Sequence, residues 1–276
     1  MRGAQAGLDQ RLETRLDALE RRDREWRPWL AALREAFHAL EDDAWSDPRV
    51  AAPSRAKAAR PDGMPLLHGQ QLTVDVELVR AFISRLAAAI GHESYQPSNN
   101  EAITLLSTAA QYQRPAADAL DQLAQLAAWP LLVACGRRLV GAIPATWAQG
   151  YCPVCGAWPL LAEQRGLERA RRLRCGRCAA DWPFPGLTCV YCGEHHHTQL
   201  GALVSEGELD ARKIETCRTC RGYVKSIATL VGLSPADVLL SDLETVELDL
   251  VARSRGWQRP SQPARPLDVR VRAQGL

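Results

Sequence analysis

Apolar positions recur with a helical period through the first half of the chain. Leu8, Leu12, Leu16 and Leu19 lie three or four residues apart among Arg, Glu and Asp, and after Pro28 the pattern resumes with Trp29, Leu33, Phe37 and Leu40. Residues at that spacing share one face, so both stretches read as amphipathic helices with one buried stripe and a solvated charged face. Between Ser46 and Gln70, Pro48, Pro53, Pro61, Gly63, Pro65 and Gly69 break the period, which predicts a connector packed in part through Leu66 and Leu67. Thr73 then reads as the N-cap of a helix with the stripe Val74, Leu78, Phe82, Leu86 and Ile90, ending at Gly91. Asn99 and Asn100 offer the cap of a helix running through Thr108, and Pro115 sits near the start of a longer one carrying Leu120, Leu123 and Leu126.

Helical texture ends near Pro144 to Gly150. Beyond it, Leu160 to Arg174 and Thr198 to Thr216 carry short alternating segments suited to hairpins. Ser234 and Pro235 start a helix in cap and first-turn positions. Leu243, Val246 and Leu250 mark a terminal helix ending near Gly256, and the Pro-rich stretch from Pro260 to Pro266 reads as an extended surface tail.

Eight cysteines punctuate the second half in four pairs: Cys152 and Cys155, Cys175 and Cys178, Cys189 and Cys192, Cys217 and Cys220. Two residues between thiolates allow a tight turn to present both sulfurs to one tetrahedral ion, and two such turns close a four-thiolate site. Taken in order, the pairs give C-x2-C-x19-C-x2-C and C-x2-C-x24-C-x2-C, both of ribbon or rubredoxin spacing. Gly156 and Gly193 directly follow a second cysteine, where a residue of positive φ closes the turn and aims N–H groups at sulfur; Gly176 and Gly222 give a looser version of the pattern. Disulfides are a poor reading, because closely spaced pairs do not staple distant segments, and a redox dithiol motif occurs once rather than four times. The expectation is two metal ions in sequential sites, iron or zinc, since both accept this geometry.

The architecture expected is α+β. An all-α N-terminal domain at residues 1–146 precedes two small rubredoxin-like or zinc-ribbon modules at 147–187 and 188–276, the second carrying a C-terminal helix and the tail. Each module is too small for its own core, so its metal is expected to supply folding energy.

Composition narrows the function. The 276 residues carry a formal charge of +2, which calls for no polyanionic partner. The N-terminal stretch has no apolar core of a secretory signal, and Leu123 to Cys135 is short for a bilayer span; with nine cysteines this predicts a reducing, cytoplasmic setting and no membrane. Cys135 has no paired cysteine and reads as a buried core thiol. Lone His38, His68 and His92 read as incidental, and His195, His196 and His197 as an exposed loop. Arg165, Arg169, Arg171, Arg172 and Arg174 read as a solvated hairpin face near the thiolates.

The order CPVCG at Cys152 to Gly156, a CxxC pair followed by Trp182, CVYCG at Cys189 to Gly193 and CRTCRGYVK at Cys217 to Lys225 resembles the FdhE family of accessory proteins for formate dehydrogenase maturation. Ser241 to Asp249 (SDLETVELD) followed by Gly256 is similar to that family's C-terminal signature. The Arg171 to Arg174 run and Pro183 and Pro185 depart from its pattern. The resemblance implies a helical N-terminal domain, two four-cysteine sites, iron as the native ion, and a cytoplasmic role on the formate dehydrogenase catalytic subunit. Two other classes remain open: a zinc-ribbon nucleic-acid binder using the Arg run with Trp158 and Trp182, and a rubredoxin-like electron carrier. Nucleic acid is not the expected partner at this charge. With no nucleophile elbow, phosphate loop or paired acid and base, the chain is not expected to be an enzyme.

Overall fold

The computed structural model describes residues 2–45, 49–50, 63–111, 119–204 and 211–274. They fall into two units. In the first unit (Met1–Ala51, Gln71–Ala134 and Val269–Leu276), α1 (Arg2–Arg22) buries Leu12, Leu16 and Leu19, and α2 (Arg27–Glu41) buries Leu30, Leu33 and Phe37. Trp29 is left half exposed, Leu30 taking the core position. Helix α3 (Val76–Ala89) turns Val79, Phe82, Ile83 and Leu86 inward. Its N-cap is Asp75, whose carboxylate accepts from Glu77 and Leu78 N–H, and not Thr73. Thr73 and Val74 belong instead to β2 (Gln70–Val74), where branched side chains alternate between buried and partly buried positions. Gly91, at φ +90, stands just beyond the helix as expected. Helix α4 (Asn99–Gln111) is capped by Ser98 rather than by Asn99 or Asn100: Ser98 Oγ accepts from Glu101 N–H while the Glu101 carboxylate accepts from Ser98 N–H, a reciprocal capping box.

The first unit is not purely helical. A three-stranded sheet of order β1-β2-β9 joins β1 (Arg49–Val50) and β2 to β9 (Val269–Ala273) from the chain's end. Val269, Val271 and Ala273 point inward, and Gln111 Nε2 donates to Val269 O at 2.8 Å. The tail is therefore extended through Pro266 and then becomes a packed strand. Pro115 lies outside the described residues. Helices α5 (Ala119–Ala127) and α6 (Trp129–Leu139) follow almost without a break. The helical run Leu123–Ala142 counts 20 residues, so it is long and apolar enough to cross a membrane, contrary to the sequence expectation; yet 72% of its apolar window is buried within the protein.

In the second unit (Ala52–Gln70 and Cys135–Asp268), six strands form one sheet of order β5-β4-β3-β8-β7-β6. The two expected hairpins are present: β3 (Leu161–Arg165) with β4 (Ala170–Arg174), and β6 (Leu200–Val204) with β7 (Arg212–Cys217). Both belong to the same sheet. Strand β8 (Tyr223–Thr229) pairs antiparallel to β7 and parallel to β3, with Leu161 opposite Lys225. Strand β5 (Asp181–Pro183) adds the outer edge beside β4.

Helices α7 (Pro235–Glu244) and α8 (Val246–Ser254) cover one face of this sheet, broken at Thr245 where the sequence suggested a continuing apolar stripe. Ser234 caps α7 with Pro235 in the first turn, as expected. Leu161, Ile227 and Val238 make one core cluster, and Ile214, Tyr223 and Ala252 another. The connector contributes too: Leu66 and Leu67 donate their N–H groups to Pro153 O and Val154 O at 2.8 and 2.9 Å, and Leu67 is fully buried.

Candidate metal centres

Strand direction places all four CxxC turns at one end of the sheet. The first precedes β3, the second follows β4, the third precedes β6, and the fourth links β7 to β8. Each turn has the same backbone frame. The N–H of the first cysteine donates to the carbonyl five residues on: Cys152 to Ala157, Cys175 to Ala180, Cys189 to Glu194 and Cys217 to Gly222. The residue after the second cysteine has positive φ in all four: Gly156 (+74), Ala179 (+56), Gly193 (+75) and Arg221 (+59). Glycine thus marks only two of the four left-handed positions; alanine and arginine hold the others against their steric preference.

The sulfurs group sequentially. Cys152, Cys155, Cys175 and Cys178 form one set and Cys189, Cys192, Cys217 and Cys220 the other, with the sulfurs of each set within 4.8 Å of one another. In the first set Cys152 lies 3.4 Å from Cys178 and Cys155 3.5 Å from Cys175; in the second, Cys189–Cys220 is 3.6 Å and Cys192–Cys217 is 3.7 Å. Four ligands at about 2.3 Å from a tetrahedral ion stand about 3.8 Å apart, so these distances suit an ion and are far from any S–S bond. In the first set, N–H groups of Val154 and Cys155 point at the Cys152 sulfur, and those of Arg177 and Cys178 at Cys175, at 3.4 to 3.5 Å. Such donors favour thiolate. Each set can accept one metal ion.

Charge argues the same way. Burial pushes the Cys152 and Cys178 thiols well above the ordinary range, while hydrogen bonds from Cys152, Cys175 and Cys178 hold Cys155 well below it. Metal ligation requires the deprotonated thiolates, and a central cation is what offsets their burial. The two sets differ in access. All four cysteines of the first are buried, whereas Cys192 is exposed and Cys220 partly so. A chain of edge-on rings, Trp147, Tyr151, Trp158 and Tyr191, passes through the residue before Cys152 and ends in the turn of Cys189, with centroids 5.1 to 6.1 Å apart.

Other sequence expectations resolve beside the sulfurs. Cys135 is buried, its thiol pushed up to about 12 by burial, and stands apart from both sets. His195, His196 and His197 are exposed and contribute no ligand, the last two stacking on each other. The arginine run is corrected. Arg171 and Arg174 are buried, on opposite faces of the sheet, because each has a carboxylate waiting there. Arg174 pairs with Glu163, which also takes Arg165 and the Leu233 N–H, while Arg171 meets Glu215 at 2.5 Å. Arg172 pairs with Asp181 across the β4–β5 ladder. Trp182 is wholly buried and donates to Gln149 O, which removes it from any exposed surface.

One cluster escaped the sequence reading. Lys225, fully buried, donates to Asp242 Oδ1 and Asp249 Oδ2, both at 2.7 Å, and to Asp242 O. Arg259 approaches the same carboxylates at 3.0 and 3.2 Å, and Tyr223 donates to Asp249 Oδ1 at 2.7 Å. Burial and that bond push the Tyr223 phenol up to about 12. Two cations thus face two anions, and they tie α7 and α8 to the strand that leaves the fourth CxxC turn. The only sequence signal was the coincidence of a lysine in YVK with two aspartates in SDLETVELD.

The family model described as FdhE, C-terminal domain, matches residues 187–264. The "Protein FdhE homolog" of Aquifex aeolicus (strain VF5) is 38% identical over 115 residues, 40% of each chain. That of Pseudomonas aeruginosa is 32% identical over 127 residues, 44% of this chain and 41% of the relative. The matched stretch thus spans about two fifths of the length of these curated relatives. The crystal structure of the FdhE protein from Pseudomonas aeruginosa shares the fold, with a TM-score of 0.63 at 24% identity over 93% of this chain and 94% of that one. The similarity to FdhE thus lies in sequence over the C-terminal domain at residues 187–264 and the relatives that share it, and in fold over nearly the whole chain.

Proposed function

We propose that this protein is an accessory factor for formate dehydrogenase maturation. It acts in the cytoplasm by binding the catalytic subunit through a metal-bearing scaffold, and it is not itself an enzyme. The observation that carries this reading is the pair of four-sulfur sets, both at one end of a single sheet, in a chain whose residues 187–264 match the FdhE C-terminal domain. Cys152, Cys155, Cys175 and Cys178 would hold one ion and Cys189, Cys192, Cys217 and Cys220 the other. Iron is the ion the family resemblance favours, with zinc the alternative; bound iron would supply a one-electron couple, bound zinc shape alone. A site closed by four protein thiolates leaves no open position for substrate, so the chain's own contribution is a rigid surface or passage of electrons, not substrate activation. The partly exposed second set is the one a client can approach.

Replacement of Cys152 and Cys155 together by serine is expected to abolish formate dehydrogenase activity in the cell, while the purified native chain oxidises no formate. Normal cellular activity in that double variant, or formate oxidation by the pure protein, would overturn the assignment. Zinc-loaded protein separates the two roles: if it restores maturation, the role is shape; if it binds the client without restoring activity, electrons are required. Of the other classes, nucleic-acid binding has lost its support, since Arg171, Arg174 and Trp182 are buried.

A further inference from the structure

In the second unit α7 and α8 pack on one face of the sheet. On the other, a cavity of about 370 Å3 opens over β6, β7 and β8. Leu187, Val190, Leu200, Ala202 and Val224 give it apolar walls, and the backs of Cys189 and Cys217 border it. Its charged groups are Arg171, Glu215 and Lys213. The first two pair with each other, but the Arg171 Nε is buried without a hydrogen-bond partner, and Lys213 has no carboxylate partner among the described residues. Among the described residues, Lys213 is therefore the cavity's cation without a carboxylate beside it.

Beside it lies the free edge of the sheet. Strand β6 is outermost in the order, and its sequence LGALV holds no charge and no proline, the devices by which edge strands avoid further pairing. Arg218 N–H donates to Gln199 O, and Leu200 stands opposite Cys217. Antiparallel alternation then commits the backbone groups of Gly201 and Leu203 to β7. It turns the Ala202 N–H and C=O, the Leu200 C=O and the Val204 N–H outward. The side chains of Leu200 and Ala202 face the cavity, while Leu203 packs against the helix side.

We propose that this edge and cavity dock an extended segment of client polypeptide, which adds to the sheet as a strand beside β6. Its inward-facing residues alternate, one apolar side chain entering the cavity and one acidic side chain meeting Lys213. Backbone bonds to the β6 edge supply affinity, and the cavity with Lys213 supplies selection. The occupant's seat against Cys189 and Cys217 places it beside the more exposed metal centre. This rests on the maturation reading for the identity of the client.

The test uses the full chain and the purified catalytic subunit of a formate dehydrogenase, with short peptides tiling that subunit as competitors. Ala202→Pro removes an outward N–H that the fold does not use, so circular dichroism and thermal unfolding should match the native chain. Capture of the subunit should weaken about tenfold or more, the scale of one lost hydrogen bond at an interface. Lys213→Glu should weaken it similarly, and exchanging the acidic residue of the competing peptide for lysine should restore that peptide's binding to this variant. Native-like capture by both variants, with the unaltered chain binding the subunit, overturns the docking site and leaves the client reading standing. No capture by the unaltered chain overturns the client reading and this inference with it. Dissociation of a homodimer by Ala202→Pro, without loss of capture, assigns the edge to a second copy and also overturns the proposal.

Discussion

Lys225 shows how much of this protein rests on single buried charges. Its ammonium is satisfied by Asp242 and Asp249, and removing it would leave the two carboxylates with Arg259 as their cation and the Tyr223 hydroxyl on Asp249. Lys225→Met should therefore cost roughly 3–5 kcal/mol, the range for breaking a buried pair from one side. A denaturant midpoint close to that of the native chain would contradict it. The CxxC turns yield a sharper contrast. Ala179 holds φ +56, so Ala179→Gly relieves backbone strain while adding chain entropy, and should change stability by no more than about 1 kcal/mol. Gly156→Ala places a methyl 2.7 Å from Arg265 O at φ +74 and should destabilise clearly; equal effects of the two substitutions on thermal unfolding would refute the shared turn geometry. At this scale the sequence spoke plainly where the chemistry is local. Two residues between cysteines are enough to foretell a turn. The fate of Arg171 was not legible, because the carboxylate that buries it, Glu215, lies 44 residues away and meets it only through strand order.

Among elements, helices and hairpins were readable from period alone, and their ends from caps such as Ser234. What period could not supply is pairing across distance. The parallel β3–β8 ladder merges two hairpins into one sheet, and β9 crosses from the end of the chain to join β2. Neither has a local turn to announce it, and a five-residue strand after a proline-rich stretch reads as tail. The β9 assignment predicts that deleting residues 269–276 exposes the apolar face that Val269 and Val271 cover, both now buried. The loss should be on the order of 3 kcal/mol, from two buried valines, and should appear as a lower unfolding temperature of the helical signal. An unchanged transition would return those residues to the role of a surface tail.

For the whole molecule, function reduces to an arrangement: two sulfur sets at one end of a single sheet, one enclosed and one open to solvent at Cys192. Unequal access predicts unequal release. A chelator should draw the ion from the Cys189 set well before that of the Cys152 set, giving two phases of metal loss where equivalent sites would give one. The most direct measurement is metal content joined to X-ray absorption on protein purified without added metal. Two ions per chain are expected, each surrounded by four sulfurs at about 2.3 Å. A single ion, nitrogen or oxygen in either shell, or S–S bonds within a set would contradict it.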